Sequence, residues 1–276
     1  MHSDLFYEQL QALDIHPGCD ILIRGDLLRF GRSLFNPKLF IKELRTYLGG
    51  DSTLMTLSFT QLHFIHPLRS PSFTLETKSY AGSLPSLFMA EADCRRSSHP
   101  TNSFVAVGPK SSYYLQGHDY EAEAYEPVRK AIATNAKLLV FGCLRTSPGF
   151  TTTHVAEIDT GISRKMIAPW LACANFSLGN KTRVFRRKHG SCCSKAYSNY
   201  YANYLDENLL KTSTFGATSA ITGNAQDLYR SDIRAMMQDP SVTVCRDPSC
   251  SSCNLFRYDR LHRIPSFFFH RLISSK

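Results

Sequence analysis

Apolar positions along the chain alternate between two periods, one near the 3.6 residues of a helix turn and one near the two residues of a strand. In DLFYEQLQAL (4–13), Leu5, Phe6, Leu10 and Leu13 recur at helical spacing behind Asp4, a suitable cap. ILIRG (21–25) is a short β-rich run. Phe40, Ile41, Leu44, Tyr47 and Leu48 predict a second amphipathic helix, which the glycines of GGD stop. STLMTLSFT (52–60) reads as a strand, so the opening is helix, strand, helix, strand. Residues 61–80 lose all period and predict a loop. Beyond it come a short helix over 82–94, a strand over 103–108, a helix over 125–135 and the strand KLLVFGC (137–143). A strand pair is expected over 163–173 and 182–188, helix over 197–210, and a helix from Asp227 that ends before Pro240. No repeat or linker divides the chain. The expected fold is α/β, a three-layer sandwich with a central mixed sheet. A domain over 1–240 carries a small Cys-containing C-terminal extension over 241–276, packed on it.

Composition adds two constraints. Lys and Arg number 32 against 23 Asp and Glu, for a net charge of +9 over 276 residues, and a basic surplus favours anionic partners. The surplus is spread out. Neither of its densest clusters, RVFRRKHG (183–190) and FRYDRLHR (256–263), is a basic stripe with interleaved aromatics long enough for a nucleic-acid groove. No apolar run spans a membrane. The first residues carry acids and no basic stretch ahead of an apolar block, so neither a signal peptide nor a membrane partner is expected, and the location expected is cytoplasmic.

Two stretches carry candidate chemistry. In RSSHPTNSFVAVG (96–108), Pro100 pushes His99 toward extended geometry ahead of a strand. The plain reading is a loop whose Ser and Thr satisfy local amides. In GFTTTHVAE (149–157), His154 and Glu157 share one helix face at i, i+3. A carboxylate beside an imidazole fixes its tautomer and raises its basicity, which suits a general base. A quietly packed helical histidine is the alternative.

With these stretches, the order RGDLLRFG, LMTLSFT, GSLPSLF, RRSSHPTNSFVAVGP, KLLVFG…GFTTTHVAE and TGNA resembles the aminoglycoside 3-N-acetyltransferase family from about residue 15 to 230. The matching positions are Gly82, Leu84 and Pro85, then Arg96, His99, Pro100, Thr101 and Ser103, then Thr151, His154, Ala156 and Glu157. The resemblance implies an acetyl-CoA-dependent transferase in which His154 is the base on an acceptor amine. It implies cofactor contacts from the turn Arg24, Gly25, Asp26, Leu27 and Leu28, from Thr77 and Ser79, and from Ser103. Substrate contacts would come from His99 and Thr151. The chain departs from the family pattern at RGDLL, Asn102 and Phe150, and has no acid some thirty residues after His154. Glu157, Asp206, Glu207 or His189 are the alternatives for orienting the imidazole.

The cysteines pose a separate problem. CRDPSCSSC places Cys245, Cys250 and Cys253 in a C-x4-C-x2-C pattern. Three thiolates with a fourth ligand would close a structural zinc site. Cys192 or Cys193 is the candidate fourth, then His262. Free thiols, or an iron–sulfur loop, are the alternatives.

The expected activity is acetyl-CoA-dependent N-acetylation of a sugar-like amine, by a monomer or homodimer. A polycationic aminoglycoside suits a +9 chain poorly, so an amino sugar, free or nucleotide-linked, is the expected acceptor. A family member without catalysis, acting as a binding protein, is the alternative. Nucleic acid is a third and weaker reading.

Overall fold

The computed structural model describes residues 3–31, 36, 39–191 and 193–274. Strands run in the order β1 (Ile21–Gly25), β2 (Leu54–Leu57), β3 (His63–Phe64), β4 (Arg95–Arg96), β5 (Phe104–Val107), β6 (Lys137–Phe141), β7 (Ala172–Leu178), β8 (Lys181–Arg186), β9 (Lys211–Phe215) and β10 (Thr218–Asn224). Helices are α1 (Ser3–Ala12), α2 (Leu27–Phe30), α3 (Phe40–Leu48), α4 (Leu84–Met89), α5 (Ser111–Leu115), α6 (Glu126–Ala133), α7 (Thr152–Asp159), α8 (Tyr201–Asp206), α9 (Ala225–Gln238), α10 (Ser251–Asn254) and α11 (Ile264–Ser274).

Seven strands form one sheet in the order β4-β5-β2-β1-β6-β10-β9. β1 pairs in parallel with both β2 and β6, and the outer pairings are antiparallel. The sheet is mixed, as expected. Its central strands are apolar on both faces because both are covered. Leu22, Leu138 and Val140 face one core with α6, α7 and α9, while Ile21, Ile23, Leu139 and Phe141 face a second with α1, α3 and α4. The second core is strongly aromatic: Phe6, Phe30, Phe40, Phe141 and Phe215 meet mostly edge to face, with Phe6 stacked on Phe215. These two cores make the three layers.

A second sheet, β3-β7-β8, lies apart with a small core of Phe73, Phe176 and Phe185. Its first strand falls inside the expected 61–80 loop. The strand expected over 163–173 is displaced. Short 3-10 turns occupy Ile162–Lys165 and Pro169–Leu171, and β7 begins only at Ala172. Pro169 has no N–H to give a ladder, and Ala168 ahead of it takes a left-handed φ of 47°. The hairpin β9–β10 was absent from the sequence reading.

Residues of 241–276 contact the preceding chain. Asn199 Nδ2 donates to the carbonyls of Val242 and Val244 at 2.9 and 3.1 Å, and Ile167 N donates to Phe256 O at 2.8 Å.

Candidate active site at the ends of the parallel strands

The chain leaves β1 for β2 on one side and later returns to β6 on the other. That makes the C-terminal end of β1 a switch point, where open α/β sheets form a crevice. A cleft of about 610 Å³ lies there, walled by Arg24 and Gly25 of β1, Thr56 and Leu57 of β2, and Cys143 just past β6. His154, Thr151, Tyr125, Asn102 and Arg187 also line it.

α7 presents His154 to this cleft. Thr152 Oγ1 and Thr153 Oγ1 at its start donate to Asp232 Oδ2 of α9 at 2.8 and 3.3 Å, and Tyr204 Oη donates to Asp232 Oδ1. Asp232 is fully buried, and burial pushes its carboxyl up to about 7. The His154 ring stacks on Tyr125, with centroids 4.3 Å apart and planes 14° apart. Burial holds the Tyr125 phenol up at about 12, so the platform is neutral.

His154 Nδ1, Glu157 Oε2 and Tyr197 Oη meet in a triangle of polar contacts. Nδ1 lies 3.2 Å from Glu157 Oε2 and 2.6 Å from Tyr197 Oη, and Tyr197 Oη lies 3.0 Å from the same Glu157 oxygen. Tyr197 has one hydrogen, and a carboxylate only accepts. A consistent assignment has Tyr197 donating to Glu157 and Nδ1–H shared between Tyr197 Oη and Glu157 Oε2. Nε2 then keeps its lone pair for the cleft that the ring lines. Glu157 is 1% exposed and Tyr197 0%, so the relay is shielded while the His154 side chain keeps 13%.

Gly149 makes room for Tyr197. A Cβ there would stand 2.5 Å from Tyr197 Cβ, and its φ of +69° suits glycine. Its N–H donates to Tyr201 Oη at 2.7 Å.

Several expected site residues lie away from the cleft. Glu157 contacts the imidazole at 3.2 Å, whereas His189 lies off the main cleft, in a small pocket with His99 and Lys188. Asp206 is exposed, and Glu207 pairs with Arg234. His99 is 1% exposed, and its Nδ1 accepts from the amides of Thr101 and Asn102 at 3.3 and 3.0 Å. It therefore braces cleft residues without facing the cleft. Burial lowers its pKa to about 3, so it is neutral. Ser103 is fully buried, donates to Ser58 O at 2.5 Å and accepts from Arg96 Nε at 3.1 Å, which leaves it no access to a cofactor. Thr77 and Ser79 spend their hydroxyls on the amides of Thr74 and Ala81, and neither lines the cleft.

In the 24–28 turn only Arg24 and Gly25 reach the cleft. Leu27 is buried in the core and Leu28 points to solvent. Asp26 N already donates to Phe141 O, and Leu28 N to the Asp26 carboxylate at 3.0 Å, so these amides are committed. Arg24 donates to Ser147 Oγ at 3.0 Å and to Ser147 O. Thr151 lines the cleft. Tyr197 and Asp232 escaped the sequence reading, because each meets α7 only through tertiary folding.

The α/β fold thus gathers a histidine, a tyrosine and a glutamate beside a switch-point cleft. A family model described as aminoglycoside 3-N-acetyltransferase matches residues 22–237, and the chain belongs to that family. Aminoglycoside N(3)-acetyltransferase III of Serratia marcescens is 30% identical over 173 residues, 56% of this chain and 64% of its own length. The match thus spans just under two thirds of that relative. Among solved structures, the apoenzyme of aminoglycoside acetyltransferase AAC(3)-IVa superposes with a TM-score of 0.73 at 19% identity, covering 91% of this chain and 94% of its own. AAC-IIIb in a binary complex with CoASH gives 0.71 at 18% identity, covering 86% and 97%.

Proposed function

We propose that the protein transfers an acetyl group from acetyl-CoA to an amine on a sugar-like acceptor, with His154 as general base. The observation that carries this reading is the His154–Tyr197–Glu157 relay, with Nε2 left for the cleft. Nε2 takes a proton from the acceptor nitrogen as its lone pair attacks the thioester carbonyl. The C–N bond forms, the tetrahedral intermediate collapses, and the C–S bond breaks. The imidazolium returns its proton to the departing CoA sulfur. As positive charge develops on the ring, Nδ1–H strengthens its bond to Tyr197 and so couples to the Glu157 charge. The relative crystallised with CoASH supports the donor. Arg24 and Arg187 are cations suited to an anionic CoA.

The cleft wall also bears on the acceptor. Among the described lining residues there are two arginines and no Asp or Glu. A polycation needs carboxylates to hold it, so this lining favours an amino sugar that is neutral or carries phosphate, free or nucleotide-linked. The test is acetyl transfer, followed by CoA thiol release, across amino sugars, amino sugar phosphates and aminoglycosides, with His154→Ala as control. Higher kcat/KM on a polycationic aminoglycoside than on every amino sugar would refute the acceptor assignment. Undiminished turnover by His154→Ala would refute the base.

A further inference from the structure

Cys193, Cys245, Cys250 and Cys253 bring their four sulfurs within 4.8 Å of one another. Cys192, the other candidate for the fourth place, lies outside the described residues, and His262 is exposed and apart from the cluster. We propose that these four thiolates hold one zinc ion, and that the ion staples the C-terminal extension to the segment carrying Tyr197. The second half of this proposal rests on the His154 relay described above; the first half does not.

Geometry supports the metal. With Zn–S bonds of about 2.3 Å, the sulfurs of a tetrahedral site stand about 3.8 Å apart. Cys193 and Cys250 are 3.5 Å apart, and no two of the four sulfurs are more than 4.8 Å apart. A disulfide brings only two sulfurs together, at about 2.05 Å, and does not gather four around one point. The knuckle is already shaped for the task. Cys245 N donates to Cys253 Sγ at 3.3 Å. Asp247 O accepts from Cys250 N at 3.1 Å and from Asn254 Nδ2 at 3.0 Å, which curls the C-x4-C-x2-C loop around the sulfurs. Cys253 is fully buried and Cys193 nearly so. Four converging thiols with no oxygen ligand favour zinc over harder cations.

The location gives the site its consequence. Cys193 caps the 3-10 helix Ser194–Tyr200, and Tyr197 lies one turn further on. Ser191 and Ser194, on either side of Cys193, line the cleft. A tetrathiolate would fix this segment against the knuckle and hold the Tyr197 hydroxyl against His154. Cys193 and its three partners act as positioning residues.

Two measurements test this. The first is metal content of the purified full chain by elemental analysis, in the wild type and in Cys253→Ser and Cys245→Ser. About one zinc per wild-type chain, falling below about 0.2 in the variants, is expected. Less than about 0.2 in wild type overturns the metal, as does visible charge-transfer absorption of an iron–sulfur cluster or cysteines recovered as disulfides. The second follows the His154 ring resonances and their pH profile by NMR, before and after the zinc is withdrawn with a mercurial and chelator. Withdrawal should move the profile in wild type and leave it unmoved in Tyr197→Phe. An unchanged wild-type profile overturns the staple, whether or not the chain acetylates anything.

Discussion

At the scale of residues, the relay makes separable demands. Replacing His154 by Gln removes the base, and turnover should fall by about 10²–10⁴-fold with the fold intact. Tyr197→Phe removes the hydroxyl that links Nδ1 to Glu157; with about 1.4 kcal/mol of that coupling expressed in the transition state, kcat should fall about tenfold while the acetyl-CoA KM stays put. Steady-state kinetics check both, and a Tyr197→Phe enzyme with full kcat would mean that Glu157 alone orients the ring. His154 and Glu157 were legible in the sequence because a helix puts i and i+3 on one face. Tyr197 was not, since it lies 43 residues away and nothing local marks it. The reading of His99 and Ser103 as contacts failed for a related reason. Polar residues just before a core strand can face a ligand or brace a loop, and only burial separates the two.

At the scale of elements, the start of α7 depends on a buried carboxylate and on a glycine. Gly149→Ala sets a side chain against Tyr197 in a left-handed conformation and should cost about 1–3 kcal/mol in urea unfolding. Asp232 links α7 to α9 and gives the fold a pH signature. Burial raises its carboxyl from 3.8 to about 7, so between those values the folded state keeps a proton that the unfolded chain has released. Stability contributed there is lost as pH rises through the window. His99 and His118 work in the opposite sense. Burial lowers them from 6.5 to about 3 and about 4, so below pH 6.5 the unfolded chain binds protons that the folded one refuses, and stability is lost on acidification. The slopes oppose between about pH 4 and 6.5. Asp232→Asn should therefore show a steeper loss toward acid than wild type in denaturant melts across that range, and parallel profiles would count against the carboxyl's role. Among the elements, the core strands were readable from their apolar runs. The hairpin β9–β10 was not, because KTSTF exposes most of its residues at the sheet edge and shows no clean alternation.

At the scale of the whole molecule, the spread-out basic charge has a local expression: Arg24 and Arg187 line the cleft, and no described Asp or Glu lines it. Arg187→Glu should raise KM for a phosphate-bearing acceptor or for CoA, and relax the discrimination against polycationic amines. Competition kinetics with paired acceptors would reveal an unchanged preference if the cleft charge were irrelevant. The three-layer plan followed from the alternation of helix and strand periods. The crevice did not, because it depends on which side of β1 each neighbour enters.

The small sheet gives this plan a further meaning. Leu62 immediately precedes β3 and Arg187 immediately follows β8, so this separate three-stranded unit, with its own phenylalanine core, carries part of the cleft wall. His154, Glu157 and Tyr197 belong to other elements. On the proposed function, proton handling and part of partner choice are mounted on different pieces of the chain. Rebuilding one short antiparallel unit could retune which amine is admitted while the machinery that activates it stays untouched.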